Sequence, residues 1–348
     1  MKERESFLDK MRVAATCAVV LLHTVTGVMD TTDMAPYPAE QKVFLAAMDL
    51  ICWCVPVFLM ISGYLFLQPK REISIGGMLT KYCRRIVLAL FLFGVPYGCL
   101  ERMMTERCFR PGMVGEAFRM VLRGESWSHM WYLYLILVLY LVTPLLKWGL
   151  ARIPVGAVYG LEVLLFSAFS ILPYLSRLFG WADIAALPDW GIYFFYYICG
   201  YLFAVHGPCL RKKTWWGRIL PVLAALLAAG MALSRTAGGY EMRVAYNYPF
   251  IVLLSLLLFG WGVSTEQKPR TGQRPGGFSF WQRAAELSFT VYLIHPVFLN
   301  IAYKLFDVTP LSFAIGISLP VFFLVTLLLS AAVAWVLRRI APLRKYVL

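Results

Sequence analysis

Apolar runs long enough to cross a bilayer recur along the whole chain, and no other feature constrains the fold as tightly. A helical crossing needs about 17–25 mostly apolar residues. Ten such runs are readable, at 12–30, 43–67, 86–105, 130–146, 155–173, 190–206, 219–234, 248–264, 287–303 and 311–337. Hydrocarbon offers no water to satisfy peptide groups, so each run is expected as an α-helix. The turns between them collect Pro, Gly and charge, as from Thr265 to Gly277. The expected fold class is therefore all-α and integral to the membrane, a bundle of about ten transmembrane helices forming one domain over 1–348. The first run lacks a small-residue cleavage site and reads as a span rather than a signal peptide.

Composition agrees. The chain is 60% hydrophobic and 15% charged, against about 45–50% and about 25% in soluble domains. An ordinary cytosolic enzyme, a disordered chain and a disulfide-knotted module are excluded. The formal charge of +14 does not call for nucleic acid, because cytoplasmic loops of membrane proteins collect Lys and Arg. With the N-terminus inside, 23 of the 33 basic residues fall on the cytoplasmic side. Both termini are thus expected in the cytoplasm. One loop departs from this trend: residues 101–129 place five arginines on the nominal outer side, around an amphipathic segment near Val114–Leu122. That segment is expected either in the membrane interface or folded back over a cavity.

Polar residues inside apolar helices mark candidate chemistry. His23 lies eleven residues after Arg12, a spacing that returns to the same helix face within about 20° and sets His23 about 16 Å deeper. The stripe Arg12, Thr16, Val19, His23, Thr26, Asp30 is polar at five of six positions. Such a face is expected to look into the bundle. Of the other three histidines, His295 precedes Pro296, which kinks a helix and frees a carbonyl; substrate contact and helix packing both remain open for it. His129 and Trp131 open the fourth span at the outer surface. They are candidate contacts for an external acceptor, with an interfacial aromatic belt as the other reading. His206 has no assigned role.

Asp49 and Glu162 are intramembrane carboxylates, costly to bury ionised. Asp49 is a candidate to orient His23, as a carboxylate orients a catalytic imidazole, whereas structural pairing is the default for Glu162. Lys81, Arg84 and Arg85 enter the third span together and suit either lipid phosphates or a phosphorylated cofactor. The eight cysteines have no metal-ligand spacing, and no Walker or HExxH sequence is present. No metal is expected.

Several stretches resemble one known family. Phe7-Leu-Asp-Lys-Met-Arg12, with ten residues between Arg12 and His23, is similar to the opening of membrane acyltransferase family 3. Val57-Phe-Leu-Met-Ile-Ser62-Gly63-Tyr64, Trp131-Tyr-Leu-Tyr-Leu and Tyr292-Leu-Ile-His295-Pro296 resemble later signatures of that family, in order and over essentially the full chain. The resemblance implies transfer of an acyl group, usually acetyl, from cytoplasmic acyl-CoA to a hydroxyl of an envelope glycan or lipid-linked acceptor. It implies a multi-pass protein of the bacterial cytoplasmic membrane, in contact with membrane lipids, with acetyl-CoA as donor substrate and no permanently bound cofactor. His23 then maps onto the catalytic histidine and Arg12 onto its arginine. The basic pair of the third span maps less directly, since this chain reads Lys81-Tyr-Cys-Arg84-Arg85. The chain looks like the form without an appended soluble domain. A proton-coupled transporter also uses intramembrane His, Asp and Glu with kinked helices, and is the alternative function. A sensor or scaffold without turnover is a third reading.

Overall fold

The computed structural model describes residues 5–180, 190–212, 215–236, 245–266 and 279–348. Most of the turn 265–277 lies outside these residues. All secondary structure among the described residues is helical, as expected. The helices are α1 Ser6–Thr31, α2 Pro38–Ile51, α3 Cys54–Leu67, α4 Ile75–Glu106, α5 Gly112–Arg123, α6 Ser128–Leu150 and α7 Val155–Phe179. They continue as α8 Gly191–Lys212, α9 Trp216–Thr236, α10 Pro249–Thr265, α11 Phe280–Leu305 and α12 Ile315–Leu337. Eight segments among the described residues are long and apolar enough to cross a membrane: α1, the run Pro38–Leu67, α4, α6, α7, α9, α11 and α12. The expected spans 190–206 and 248–264 are also helical, as α8 and α10, but are not among those eight. The chain is an integral membrane protein whose described secondary structure is all helical.

The chain divides into two compact units. The first comprises 1–22, 37–72 and 146–286, and the second 23–36, 73–145 and 287–348. In the first, α3 and α8 cross at their glycines. A Cβ on Gly63 would strike the carbonyl oxygen of Tyr197, and one on Gly200 would strike backbone of Met60 and Tyr64. Small residues let two helix backbones approach this closely where lipid supplies no hydrophobic drive. The Ser62-Gly63-Tyr64 signature is therefore partly a packing device. Tyr64 adds a polar tie, since Arg211 donates to its hydroxyl at 3.2 Å and lies 3.2 Å from Glu5. Glu266 caps α1 by accepting from the amides of Ser6 and Phe7 at 2.8 and 2.7 Å. A carboxylate is favoured there by the unsatisfied N–H groups and positive end of the helix dipole.

In the second unit the Arg-rich segment folds back on the helix before it. After α4 the chain turns and runs back along it as α5, burying Met113, Ala117 and Val121. Ala117 meets Gly98, and Val121 meets Gly94 further along α4. At 1.5 Å per residue the twelve residues of α5 retrace about 18 Å of α4. Val114, Phe118 and Leu122, each one residue on and so about 100° around the helix, form a neighbouring exposed apolar face. Two of the five arginines are paired: Arg102 lies 2.8 Å from Glu116, and Arg110 lies 2.9 Å from both Glu106 and Glu116. Gly124, at φ +73°, closes α5 in the left-handed conformation that glycine adopts without strain. As a result α6 starts well down the length of α4 rather than beyond its end.

α12 shows the same division of faces. Ser318, Thr326, Ser330 and Ala334 are buried, whereas Ile317, Leu324 and Leu328 are exposed. Small residues inside and large apolar ones outside suit a lipid-facing helix.

Candidate functional site: a histidine cluster at the Pro296 kink

The site is organised by the backbone of α11. Proline has no N–H, so Pro296 cannot donate to the Tyr292 carbonyl one turn back. His295 fills that vacancy with its own ring, Nδ1 lying 2.8 Å from the Tyr292 oxygen and 3.1 Å from that of Val291. The next carbonyl, of Leu293, accepts from the Tyr97 hydroxyl at 2.6 Å and from His129 Nε2 at 3.3 Å. A carbonyl oxygen has two lone pairs, so both donors fit. The Tyr292 hydroxyl in turn donates to the His129 carbonyl. One kink thus ties together α4, α6 and α11.

Three histidines meet there, all within the second unit. His23 lies 5.1 Å from His295 and 6.2 Å from His129 between ring centres, and His129 lies 5.8 Å from His295. His129 and His295 are 2% and 0% exposed. His23 is half-buried and has no hydrogen-bond partner among the described residues. A carbonyl can only accept, so the nitrogen facing it carries the proton in both buried rings. This leaves Nε2 of His295 and Nδ1 of His129 as bare acceptors in the neutral rings. His295 Nε2 is buried with no partner among the described residues. Tyr303 fixes α1 here by donating to the Thr24 carbonyl at 3.0 Å.

His129, read from sequence as opening the fourth span at the outer surface, is not a surface residue of the second unit. It is buried, because α5 carries the chain back along α4 before α6 begins. Trp131 follows it, half-buried, with its ring 6.2 Å from Tyr132. Two further residues, not singled out from sequence, form the wall. Trp127 stacks on Tyr97, and both rings lie against His129, at 6.3 and 5.9 Å. Glu101 holds Trp127 through its indole N–H at 3.1 Å and is itself paired with Lys304 at 2.7 Å. Nothing in the local pattern signals this, since the partners are far apart in sequence.

The remaining candidates distribute over both units. Arg12 is half-buried in the first, 3.7 Å from the buried Asp9. Their i, i+3 spacing is the signal that could have found Asp9. Asp49 is buried in α2, in the first unit, and His23 belongs to the second. Lys81 and Arg84 are exposed in the second unit, at the start of α4. Arg85 donates to the Val347 carbonyl at 2.9 Å and lies over the Phe289 ring. Glu162 is buried and accepts from the Cys199 thiol at 2.9 Å, so it has the structural partner expected of it. His206 lies 5.7 Å from the Tyr159 ring. Among the described residues no group of three or more His, Cys, Asp or Glu is arranged to hold a metal.

Searches of curated proteins and of solved structures returned no match. A family model described as an acyltransferase domain, in contrast, matches residues 5–339. That match spans nearly the whole chain, including every helix that builds the histidine cluster, and the protein therefore belongs to acyltransferase family 3, as a membrane acyltransferase.

Proposed function

We propose that this protein transfers an acetyl group from cytoplasmic acetyl-CoA to a hydroxyl of a cell-envelope carbohydrate or related lipid-linked acceptor, in a bacterial cytoplasmic membrane with both chain termini inside. The observation that carries the reading is His23, a half-buried imidazole inside an acyltransferase fold with no hydrogen-bond partner among the described residues. His23 acts as general base. It takes the proton of the acceptor hydroxyl as the oxygen attacks the thioester carbonyl. The carbon–sulfur bond then breaks, and the CoA thiolate takes the proton from the His23 imidazolium as it leaves. The products are an ester and free CoA, and His23 returns neutral.

CoA carries phosphates at one end and a thioester at the far end of a thin arm. Arg12 precedes His23 by about 16 Å along α1, a distance comparable to that arm. Guanidinium forks suit phosphate oxygens, so Arg12 is the candidate cation of the first unit, and Lys81, Arg84 and Arg85 are those of the second. Lys81 and Arg84 are the exposed members of that set. Trp131 and His129, with their aromatic neighbours, suit the apolar faces of a sugar acceptor. Asp49 is a positioning candidate of the first unit.

The test is reconstitution in liposomes with radiolabelled acetyl-CoA and an envelope glycan or lipid extract. Label is expected in the acceptor with native protein and not with His23→Ala at an unchanged unfolding midpoint. Solute uptake without dependence on acetyl-CoA would instead establish a carrier.

A further inference from the structure

His295 has a specific function in the cluster that depends on its neighbour Pro296. We infer that His295 positions His23 during the reaction: as the His23 ring turns its N–H toward the unpartnered Nε2, that nitrogen accepts the bond, fixing which His23 nitrogen is basic and stabilising the imidazolium that forms when His23 takes a proton. This rests on the reading of His23 as general base.

Four observations carry it. Pro296 leaves the Tyr292 carbonyl without its helical donor, and His295 Nδ1 occupies that position at 2.8 Å. The bond forces the Nδ1–H tautomer, because a carbonyl cannot donate. Nε2, on the far side of the ring from that carbonyl, is then an obligate acceptor. It is fully buried with no partner among the described residues, and a buried acceptor left unsatisfied is unfavourable until a donor arrives. The nearest of the cluster's ring pairs is His295 with His23, at 5.1 Å between centres. His23 is also the cluster member whose nitrogens are not already claimed by backbone. An imidazole N–H is the donor that this acceptor lacks.

A carboxylate behind a catalytic histidine does the same work with a full negative charge. A neutral imidazole does it without burying a net charge, which suits a site in hydrocarbon. The proton balance is simple: the acceptor hydroxyl's proton moves to His23, the opposite His23 N–H strengthens its bond to His295 Nε2, and His295 itself neither gains nor loses a proton.

Two kinds of measurement test this. Nitrogen-15 NMR of histidine-labelled protein in nanodiscs reads the tautomers directly and does not depend on any acyl transfer. His295 is expected protonated at Nδ1, and Pro296→Ala, which restores a backbone N–H to compete for the Tyr292 carbonyl, is expected to mix the tautomers. The His23 resonances are expected to shift in His295→Asn. Kinetics supply the second readout. Asparagine reaches the Nδ1 position and keeps the bond to Tyr292, whereas glutamine places its carbonyl oxygen at the level of Nε2. His295→Asn is expected to lower kcat by about 100-fold, the scale of a general-base contribution, with KM for acetyl-CoA unchanged. His295→Gln is expected to recover most of that loss. Protonation of His295 at Nε2, unshifted His23 resonances, or equal effects of the two substitutions would overturn the inference. If the native protein transferred no acetyl group, the functional reading would fail, and the NMR result would still decide whether His295 and His23 are coupled.

Discussion

Tyr97 lies face to face with Trp127, ring centres 4.4 Å apart and planes 9° from parallel. Each ring does a second job, since Tyr97 donates to the Leu293 carbonyl and Trp127 to Glu101. The pair forms the wall on which His129 rests. Removing only the Tyr97 hydroxyl, by Tyr97→Phe, keeps the stack and loses one hydrogen bond, a cost of about 1 kcal/mol. Trp127→Ala removes the stack and leaves a void, at about 3–5 kcal/mol. Thermal unfolding in detergent is expected to rank Trp127→Ala well below Tyr97→Phe. Equal midpoints would contradict the proposed wall.

The crossing of α3 and α8 predicts an asymmetry between glycines. Gly63→Ala drives a methyl group into the Tyr197 carbonyl, which is backbone and has no rotamer to yield. Overpacking of this kind costs about 1–3 kcal/mol or more, and little folded protein is expected in a size-exclusion profile. Gly115→Ala, with nothing within 4 Å of the new methyl, is expected to raise the midpoint slightly, by up to about 1 kcal/mol of helix propensity. A well-folded Gly63→Ala protein would show that the two helices do not cross this closely.

Arg12 and Asp9 separate binding from stability. Arg12→Ala removes the cation that lies 3.7 Å from a buried carboxylate. Removing a cation from beside a buried carboxylate costs stability. The unfolding midpoint is therefore expected to fall, together with affinity for acetyl-CoA. Adding Asp9→Asn is expected to restore the midpoint and leave the affinity low. Recovery of both, measured by calorimetric titration with acetyl-CoA, would mean that Arg12 has no direct part in holding phosphate.

Lys304 and Glu101 form a partly exposed pair at 2.7 Å. Pairs with this exposure contribute about 0–1 kcal/mol and are screened by salt. Lys304→Met is expected to lower the midpoint by a few degrees at most, with the difference from native protein shrinking as sodium chloride is raised. Glu101→Gln is expected to cost more, because it also weakens the acceptor that holds Trp127. A larger effect from Lys304→Met would reverse that order.

The histidine cluster shows where local reading stops. His23 stood out because its spacing from Arg12 repeats a helix face within an apolar run. His295 stood out because Pro296 follows it and must free a carbonyl. His129 was expected to open the fourth span at the outer surface, because it heads an apolar run that follows the Arg-rich segment. Its burial depends on α5 lying against Gly94 and Gly98, and on Glu106 and Glu116 pairing with two of those arginines. Those contacts join residues from separate elements and leave no periodic trace. Tyr97 and Trp127 escaped attention for the same reason.

By itself the sequence determined that this chain must be helical and membrane-embedded. Peptide groups in hydrocarbon allow little else, and the apolar runs specify where the helices lie. It also placed a histidine deep on a polar helix face and a proline beside another. Only the tertiary structure decided that these two histidines and a third meet, which ring nitrogens the backbone claims, and that the Arg-rich segment turns back into the molecule. Hydropathy is a property of single segments. A site made of side chains from α1, α6 and α11 is set by packing between them.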